Sequence, residues 1–248
     1  MKVIGRIVKA IAAIAAVVGF IAFIAERFEK STHRPFGVYE KYIKRPLDAF
    51  LATGALIVLS PVLLITGILV RLKLGSPVLF TQDRPGRYEK IFRLFKFRTM
   101  TDEKDSEGNL LPDDIRLTSF GRKLRSTSLD ELPQLINIIK GDMAIIGPRA
   151  LLIEYLPYYN DEEKQRHAVR PGLTNLVSIH GRNAVSVQDK FKYDIEYVNH
   201  ISFLMDLKIF FGTIAVVLKH EGTELEGGGK YIDYFEARMK GDTDENIS

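Results

Sequence analysis

From Phe50 to Val70 the chain carries no charged residue, and Ser60-Pro61 falls in the middle of that run. As a helix rising ~1.5 Å per residue, such a run can cross the ~30 Å hydrocarbon core of a bilayer. It does not encode a straight helix. Pro61 has no N–H, and its ring collides with the carbonyl four residues back, that of Ile57. In lipid a freed carbonyl costs roughly several kcal/mol unless it finds a partner. The Ser60 hydroxyl can reach back to the preceding turn and supply one. The run therefore predicts a sharply kinked helix. Its flanks are basic at both ends, with Lys41, Lys44 and Arg45 before it and Arg71 and Lys73 after it. Basic residues favour the cytoplasmic side. The economical reading is a helix that enters a membrane, breaks, and leaves by the same face; a spanning helix that tolerates its proline is the alternative.

A second apolar run, Ala10 to Ala25, follows Lys2, Arg6 and Lys9. It ends in Ala22-Phe23-Ile24-Ala25-Glu26, a poor signal-peptide cleavage site. A retained membrane anchor is expected, with a surface-lying helix as the alternative. The 248 residues carry a net charge of +4, with a pI of about 9.1. The positive charge gathers near the apolar runs and in the Arg93-Lys96-Arg98 and Arg122-Lys123-Arg125 clusters. That pattern suits an anionic membrane surface or a phosphate-bearing substrate. No nucleic-acid-binding module is visible. The chain has no cysteine, which excludes disulfides, thiolate catalysis and cysteine zinc sites. The five histidines show no metal-ligand spacing.

The pattern divides the chain into an anchor at 1–25, a basic connector at 26–45, the kinked membrane helix at 46–74, a catalytic unit at 75–221 and a loose polar tail at 222–248. Val78 to Gln82 and Ile91 to Met100 read as strands around a turn at Arg84-Pro85-Gly86-Arg87. Residues 102–114 read as a loop. Leu129 to Lys140 reads as a helix stopped by Gly141, Leu151 to Val169 as one or two helices interrupted by Pro157, and Val177 to Ile179 as a short strand. Residues 186–220 are mainly helical, and their apolar end, Ile209 to Leu218, is either core or interfacial. The expected class is α+β, mostly helical, with short strands and membrane-associated helices.

Asp130-Glu131 is the candidate reactive pair. Its plain reading is structural: Ser128-x-x-Glu131 has the form of a capping box. Pro133 fits a helix capped at Asp130 better than one capped at Ser128. In either case two carboxylates lie at a helix start, where free N–H groups favour phosphate. Lys96, Arg98, Arg116, Arg122 and Arg125 are candidate phosphate partners, with a solvated basic face as the alternative. Gly147-Pro148-Arg149 is a rigid turn presenting an arginine, a pattern repeated at Arg170-Pro171-Gly172 and Gly181-Arg182-Asn183. By default Asp194 and Asp206 are helix caps or surface ion-pair partners.

Taken together, these motifs resemble the bacterial sugar transferases known as monotopic phosphoglycosyl transferases. The resemblance covers about residues 44 to 220 and rests on the motifs in order. They include Arg45-Pro46-Leu47-Asp48, Ser60-Pro61, Gly75-Ser76-Pro77-Val78, Lys96-Phe97-Arg98-Thr99-Met100, Ser128 to Leu135, Lys140-Gly141-Asp142-Met143, Gly147-Pro148-Arg149 and Gly181-Arg182-Asn183. It implies a re-entrant helix broken at Ser60-Pro61 and a catalytic domain on the cytoplasmic face of the bacterial inner membrane. It also implies transfer of a sugar phosphate from a UDP-sugar to undecaprenyl phosphate, with release of UMP. Asp130 would be the nucleophile. Mg²⁺ would sit at Asp130 and Glu131. Lys96, Arg125, Arg182 and Asp194 would complete the site, and Pro148 and Arg149 would line the uridine pocket. A homodimer and downstream glycosyltransferases are compatible partners. Two departures bear on donor recognition: Ala150 follows Arg149 where the family commonly has proline, and Thr174-Asn175-Leu176 replaces a Thr-Gly-Trp-like run. A non-catalytic scaffold that binds polyprenol phosphate is the competing function. A lipid phosphatidyl- or cytidyl-transferring enzyme would need an Asp-rich motif on a membrane helix, which is absent.

Overall fold

The computed structural model describes residues 37–181, 185–218 and 227–240, with isolated positions between 10 and 21. The expected anchor at 1–25, most of the connector, and Arg182 lie outside these described stretches. One π-helical turn, Tyr39–Ile43, leads into α1 (Lys44–Val58), and α2 (Ser60–Leu74) follows after Leu59. The pair is bent by 64° at the break. Ser60 Oγ donates to Ile57 O at 2.8 Å. That is the carbonyl which Pro61 cannot serve, so the serine repairs the bond that the proline removes. Among the described residues, no single helix is long and apolar enough to cross a membrane; only this bent pair is.

The strands β1 (Leu79–Pro85) and β2 (Ile91–Phe97) form an antiparallel hairpin, with Leu79 opposite Phe97 and Pro85 opposite Ile91. The turn falls later than expected. Pro85 ends a strand at the sheet margin, where its missing donor is harmless. Tyr88 and Glu89, both at positive φ, reverse the chain instead. β2 stops before Met100 because the Arg98 guanidinium ties the chain to Ser76 O and Met100 O.

α3 (Ser119–Ser126) is capped by the Thr118 side chain. The expected long helix from Leu129 divides into a 3₁₀ turn, Leu129–Glu131, and α4 (Gln134–Lys140). Pro133 occupies the N-cap of α4, where it needs no N–H. The capping box does not form. Ser128 adopts a left-handed conformation at φ 55° and makes no side-chain cap. Gly141, at φ 93°, ends α4 as expected.

β3 (Ala144–Ile146) and β4 (Gly172–Thr174) pair in parallel, so Gly172 opens a strand rather than a turn. The predicted helix from Leu151 is instead two 3₁₀ segments, Ile153–Tyr158 and Gln165–Ala168, around one α-turn, Asp161–Lys164. Pro157 lies inside the first. The strand expected at Val177 to Ile179 is a 3₁₀ turn, because the Asn175 side chain caps Ser178 N at 2.9 Å. α5 (Val187–Asn199) and α6 (Phe203–Leu218) match expectation. Ile209 of α6 is fully buried, whereas Phe210, Phe211 and Ile214 are exposed, so that helix has both a core face and an exposed apolar face.

The tail is not loose throughout. α7 (Gly227–Met239) buries Tyr234 and Phe235 against Tyr155, Tyr159 and Phe191. A second core cluster joins Ala52 of α1 to Phe92 and Leu94 of β2 and to Leu135 and Ile138 of α4. A third joins Val70 and Leu74 of α2 to Phe97 and Leu124. The broken helix is thus built into the same cores as the hairpin and the helix after the acidic pair.

Candidate active site

Side chains alternate across β2. Lys96 therefore shares the face of Phe92 and Leu94, which are buried toward α4. Asn137, in the middle of α4 and fully buried, behaves as a third strand would. It accepts from Phe95 N at 3.1 Å and donates to Arg93 O at 2.7 Å. The β2 edge is thereby fixed to α4, and Lys96 Nζ reaches Glu131 Oε1 at 2.6 Å. Arg125 comes from α3, which lies close because residue 121 is glycine: a Cβ there would collide with Thr99 O. Arg125 Nε then donates to Thr99 Oγ1 at 3.1 Å.

Asp130 sits in the 3₁₀ turn and is only 6% exposed. Burial pushes its carboxyl up from the usual carboxylate range to about 6; Lys96 and Arg125 pull it down, and Glu131 pushes it further up. The group is mainly ionised at neutral pH but poorly solvated. An incompletely neutralised carboxylate of this kind is a competent nucleophile toward phosphorus. The N–H groups expected to be free for phosphate are in use: Glu131 N and Leu132 N bond to Ser128 O and Leu129 O within the turn.

Arg149 closes the other side. Its guanidinium lies 3.7 Å from Glu131 Oε1, with its side chain about half exposed. The Gly147-Pro148-Arg149 turn leaves the end of β3 and is held to β4 by Gly147 N to Thr174 O, 3.1 Å, and Gly172 N to Pro148 O, 2.9 Å. The backbone beyond is fixed from two directions. Arg166 Nη2 donates to Arg149 O at 2.6 Å, and Arg84 Nη1 donates to Ala150 O at 3.2 Å.

The remaining candidates divide. Asp194 is buried in an ion pair with Arg166 at 2.7 Å and is not a surface partner. Its connection to the site runs through Arg166 to the Arg149 carbonyl. Arg98 bonds to Ser76 O, Met100 O and Asp102, so it holds the loop after β2 rather than the acidic pair. Arg116 and Arg122 bind backbone carbonyls of the same region. Asp206 is likewise no surface acid. It accepts from Tyr39, Lys44 and Tyr197 at 2.6, 2.6 and 2.8 Å in a buried cluster beside α1. Arg166 is the residue that motif reading missed. It follows an acidic stretch and looks like a surface charge, and only the fold reveals its burial.

Among the described residues, no group of three or more His, Cys, Asp or Glu side chains forms a metal cage. Asp130 and Glu131 offer adjacent carboxylates, and Lys96 already holds one oxygen. That donor set fits an ion of the Mg²⁺ type, which keeps several waters and completes its shell with substrate phosphates.

The bacterial sugar transferase family model matches residues 39–220. The chain belongs to the bacterial sugar transferase family. The uncharacterized sugar transferase EpsL of Bacillus subtilis is 52% identical over 182 residues, covering 73% of this chain and 90% of that protein. The UDP-N-acetylgalactosamine-undecaprenyl-phosphate N-acetylgalactosaminephosphotransferase of Aeromonas hydrophila is 35% identical over 71% of this chain and 44% of its own length. The undecaprenyl-phosphate galactose phosphotransferase of Salmonella typhimurium is 34% identical over 73% of this chain and 42% of its own. This bacterial sugar transferase is an enzyme that transfers a phosphate-containing group.

Proposed function

We propose that this enzyme transfers a sugar-1-phosphate from a UDP-sugar to a membrane polyprenol phosphate such as undecaprenyl phosphate, in the first membrane step of a polysaccharide pathway. The observation that carries the reading is the Asp130-Glu131 pair, enclosed by Lys96, Arg125 and Arg149. An Asp130 carboxylate oxygen attacks the sugar-bearing phosphorus. The bond to the oxygen of the nucleotide's α-phosphate breaks, and UMP leaves with that electron pair. In the second step a phosphate oxygen of the polyprenol phosphate attacks the same phosphorus. The Asp130–phosphorus bond breaks, the carboxylate is restored, and a sugar diphosphate polyprenol results.

Both steps bring anion to anion, so cationic side chains are essential. Lys96 and Arg125 lower the charge barrier at Asp130, and Arg149 is placed to accept the diphosphate or to stack on the base. Asp130 and Glu131 would hold Mg²⁺, which when bound would neutralise phosphate charge. Glu131 keeps Lys96 beside the nucleophile.

A lipid phosphate stays at the headgroup level, and the broken helix is the element suited to hold the site there. Three observations support a re-entrant arrangement: the 64° bend, the basic residues on both flanks, and the exposed Leu64, Ile65 and Leu72 around α2. The site would then face the cytoplasm at the inner membrane, and its product would pass to downstream glycosyltransferases. The test is UMP release by nanodisc-embedded protein with undecaprenyl phosphate, Mg²⁺ and a panel of UDP-sugars, beside Asp130→Asn. Release that the variant abolishes supports the reading; release that the variant retains overturns the nucleophile assignment.

A further inference from the structure

α7 lies beyond residue 220, where the family match ends, yet it backs the element that positions Arg149. Phe235 stacks on Tyr155 at 4.1 Å between ring centroids and meets Tyr159 edge-on at 5.2 Å. Phe235 and Tyr231 also pack on Phe191, at 6.1 and 6.0 Å. Tyr159 and Phe191 are the two rings against which the Arg166 guanidinium lies, at 5.8 and 5.6 Å from their centroids. Arg166, buried and paired with Asp194, ends on the Arg149 carbonyl. α7 is in turn secured by a bidentate ion pair, Arg238 to Glu163 at 2.6 and 3.0 Å, to which the Tyr234 hydroxyl adds a 3.0 Å bond.

We propose that the C-terminal helix is a positioning element of the donor site, holding Arg149 through the Tyr159–Phe191 rings and Arg166. The proposal rests on the assignment of Arg149 to the UDP-sugar. Two features favour positioning over mere bulk. Arg166 holds Arg149 by its backbone carbonyl, leaving the Arg149 guanidinium to reach toward Glu131. The rings that support Arg166 pack against Tyr231 and Phe235 of α7. Loosening α7 therefore acts on donor capture, while Asp130 and Glu131, in the 3₁₀ turn ahead of α4, and Lys96, on β2, stay as they are.

The experiment uses the full chain in nanodiscs with the UDP-sugar that supports UMP release. Arg238→Gln and a chain ending before Gly227 are compared with wild type, and Arg238→Lys serves as the conservative rescue. Contact networks of this kind transmit effects of roughly two- to thirtyfold. The expected result is a donor KM raised by about that factor with kcat held within about twofold, partly restored in Arg238→Lys. Hydrogen exchange of the peptide spanning residues 144–152 should quicken in Arg238→Gln, a readout that needs no substrate. Unchanged exchange there, or an unchanged donor KM beside an active wild type, overturns the proposal. A fall in kcat and in folded protein at constant KM marks a purely structural helix and also overturns it. Wild-type protein that releases no UMP from any UDP-sugar sinks the donor assignment instead, while the exchange result still decides whether α7 holds the Arg149 segment.

Discussion

Two clusters in this molecule contain the same parts, two carboxylates and a lysine, and do opposite things with them. Beside α1, Asp48 and Asp206 surround Lys44 at 3.7 and 2.6 Å, with Tyr39 and Tyr197 completing the bonds to Asp206. The side chains of Lys44 and both acids are about one-tenth exposed or less. At the candidate active site, Lys96 lies beside both Asp130 and Glu131, and Arg149 pairs with Glu131, but one wall is open. Lys96 and Glu131 keep about a fifth of their side-chain surface, and Arg149 more than half. The closed cluster spends its charges on one another and joins α1, α5 and α6. The open one leaves cationic side chains partly exposed and, among the described residues, the Asp130 carboxylate without a side-chain hydrogen-bond donor. Composition does not separate structure from chemistry here; saturation does.

The contrast can be broken most directly at its reactive end. Asp130→Asn should lower turnover by at least roughly a thousandfold, as loss of a covalent nucleophile does. The protein should nevertheless become more heat-stable at neutral pH. Because the folded carboxyl titrates near 6, above its ordinary value, the folded state binds more protons between about pH 4 and 6, and stability falls as pH rises through that window. Removing the charge removes that cost, a gain on the order of 1–3 kcal/mol. Calorimetry showing a lower Tm for the variant would contradict the description of Asp130 as a buried, poorly solvated charge.

Asp206→Asn should do the reverse. Breaking a buried ion pair from one side costs about 3–5 kcal/mol, so folded yield and Tm should fall while kcat per folded molecule changes little. A variant with normal stability and lost turnover would move the closed cluster into the chemistry. Lys96→Gln comes next, with a loss of roughly ten- to a hundredfold in turnover. Lys96 lowers the Asp130 pKa, so its removal should also shift the acid limb of the pH–rate profile upward from the wild-type midpoint near 6; an unmoved limb would show that Asp130 does not set it. The smallest effect is expected at Ser60→Ala, which unpairs the Ile57 carbonyl for about 1 kcal/mol. Urea unfolding in detergent would register that difference as a shift in midpoint.

Features with a local cause were legible in the sequence. The break at Ser60-Pro61 needs only a proline and a neighbouring hydroxyl, the stop at Gly141 needs only a glycine able to take positive φ, and the hairpin needs only two alternating runs. The β3–β4 pair was not legible, because three residues per strand carry no period and the partners are distant in the chain. The turn at Leu129–Glu131 was hidden by its own composition. Ser128 and Glu131 spell a capping box, and only the left-handed Ser128 and the demand of Pro133 for a helix start turn the chain elsewhere. For the site, the family motifs located Asp130, Glu131, Lys96, Arg125 and Arg149, which the fold brings together. Asp194 and Arg166 show the limit: their importance lies in which other charge each meets in the interior, and neither identity nor spacing encodes that meeting.

Arg45 donates to Ile138 O and Ile139 O at 2.7 and 2.9 Å, closing the last turn of α4 from within α1. The acidic pair lies immediately ahead of α4 on the same rigid stretch. Any tilt of the broken helix is therefore inherited by Asp130, as the hand of a gauge follows its spindle. The position of Asp130 relative to the broken helix is set by the seating of α1 against α4.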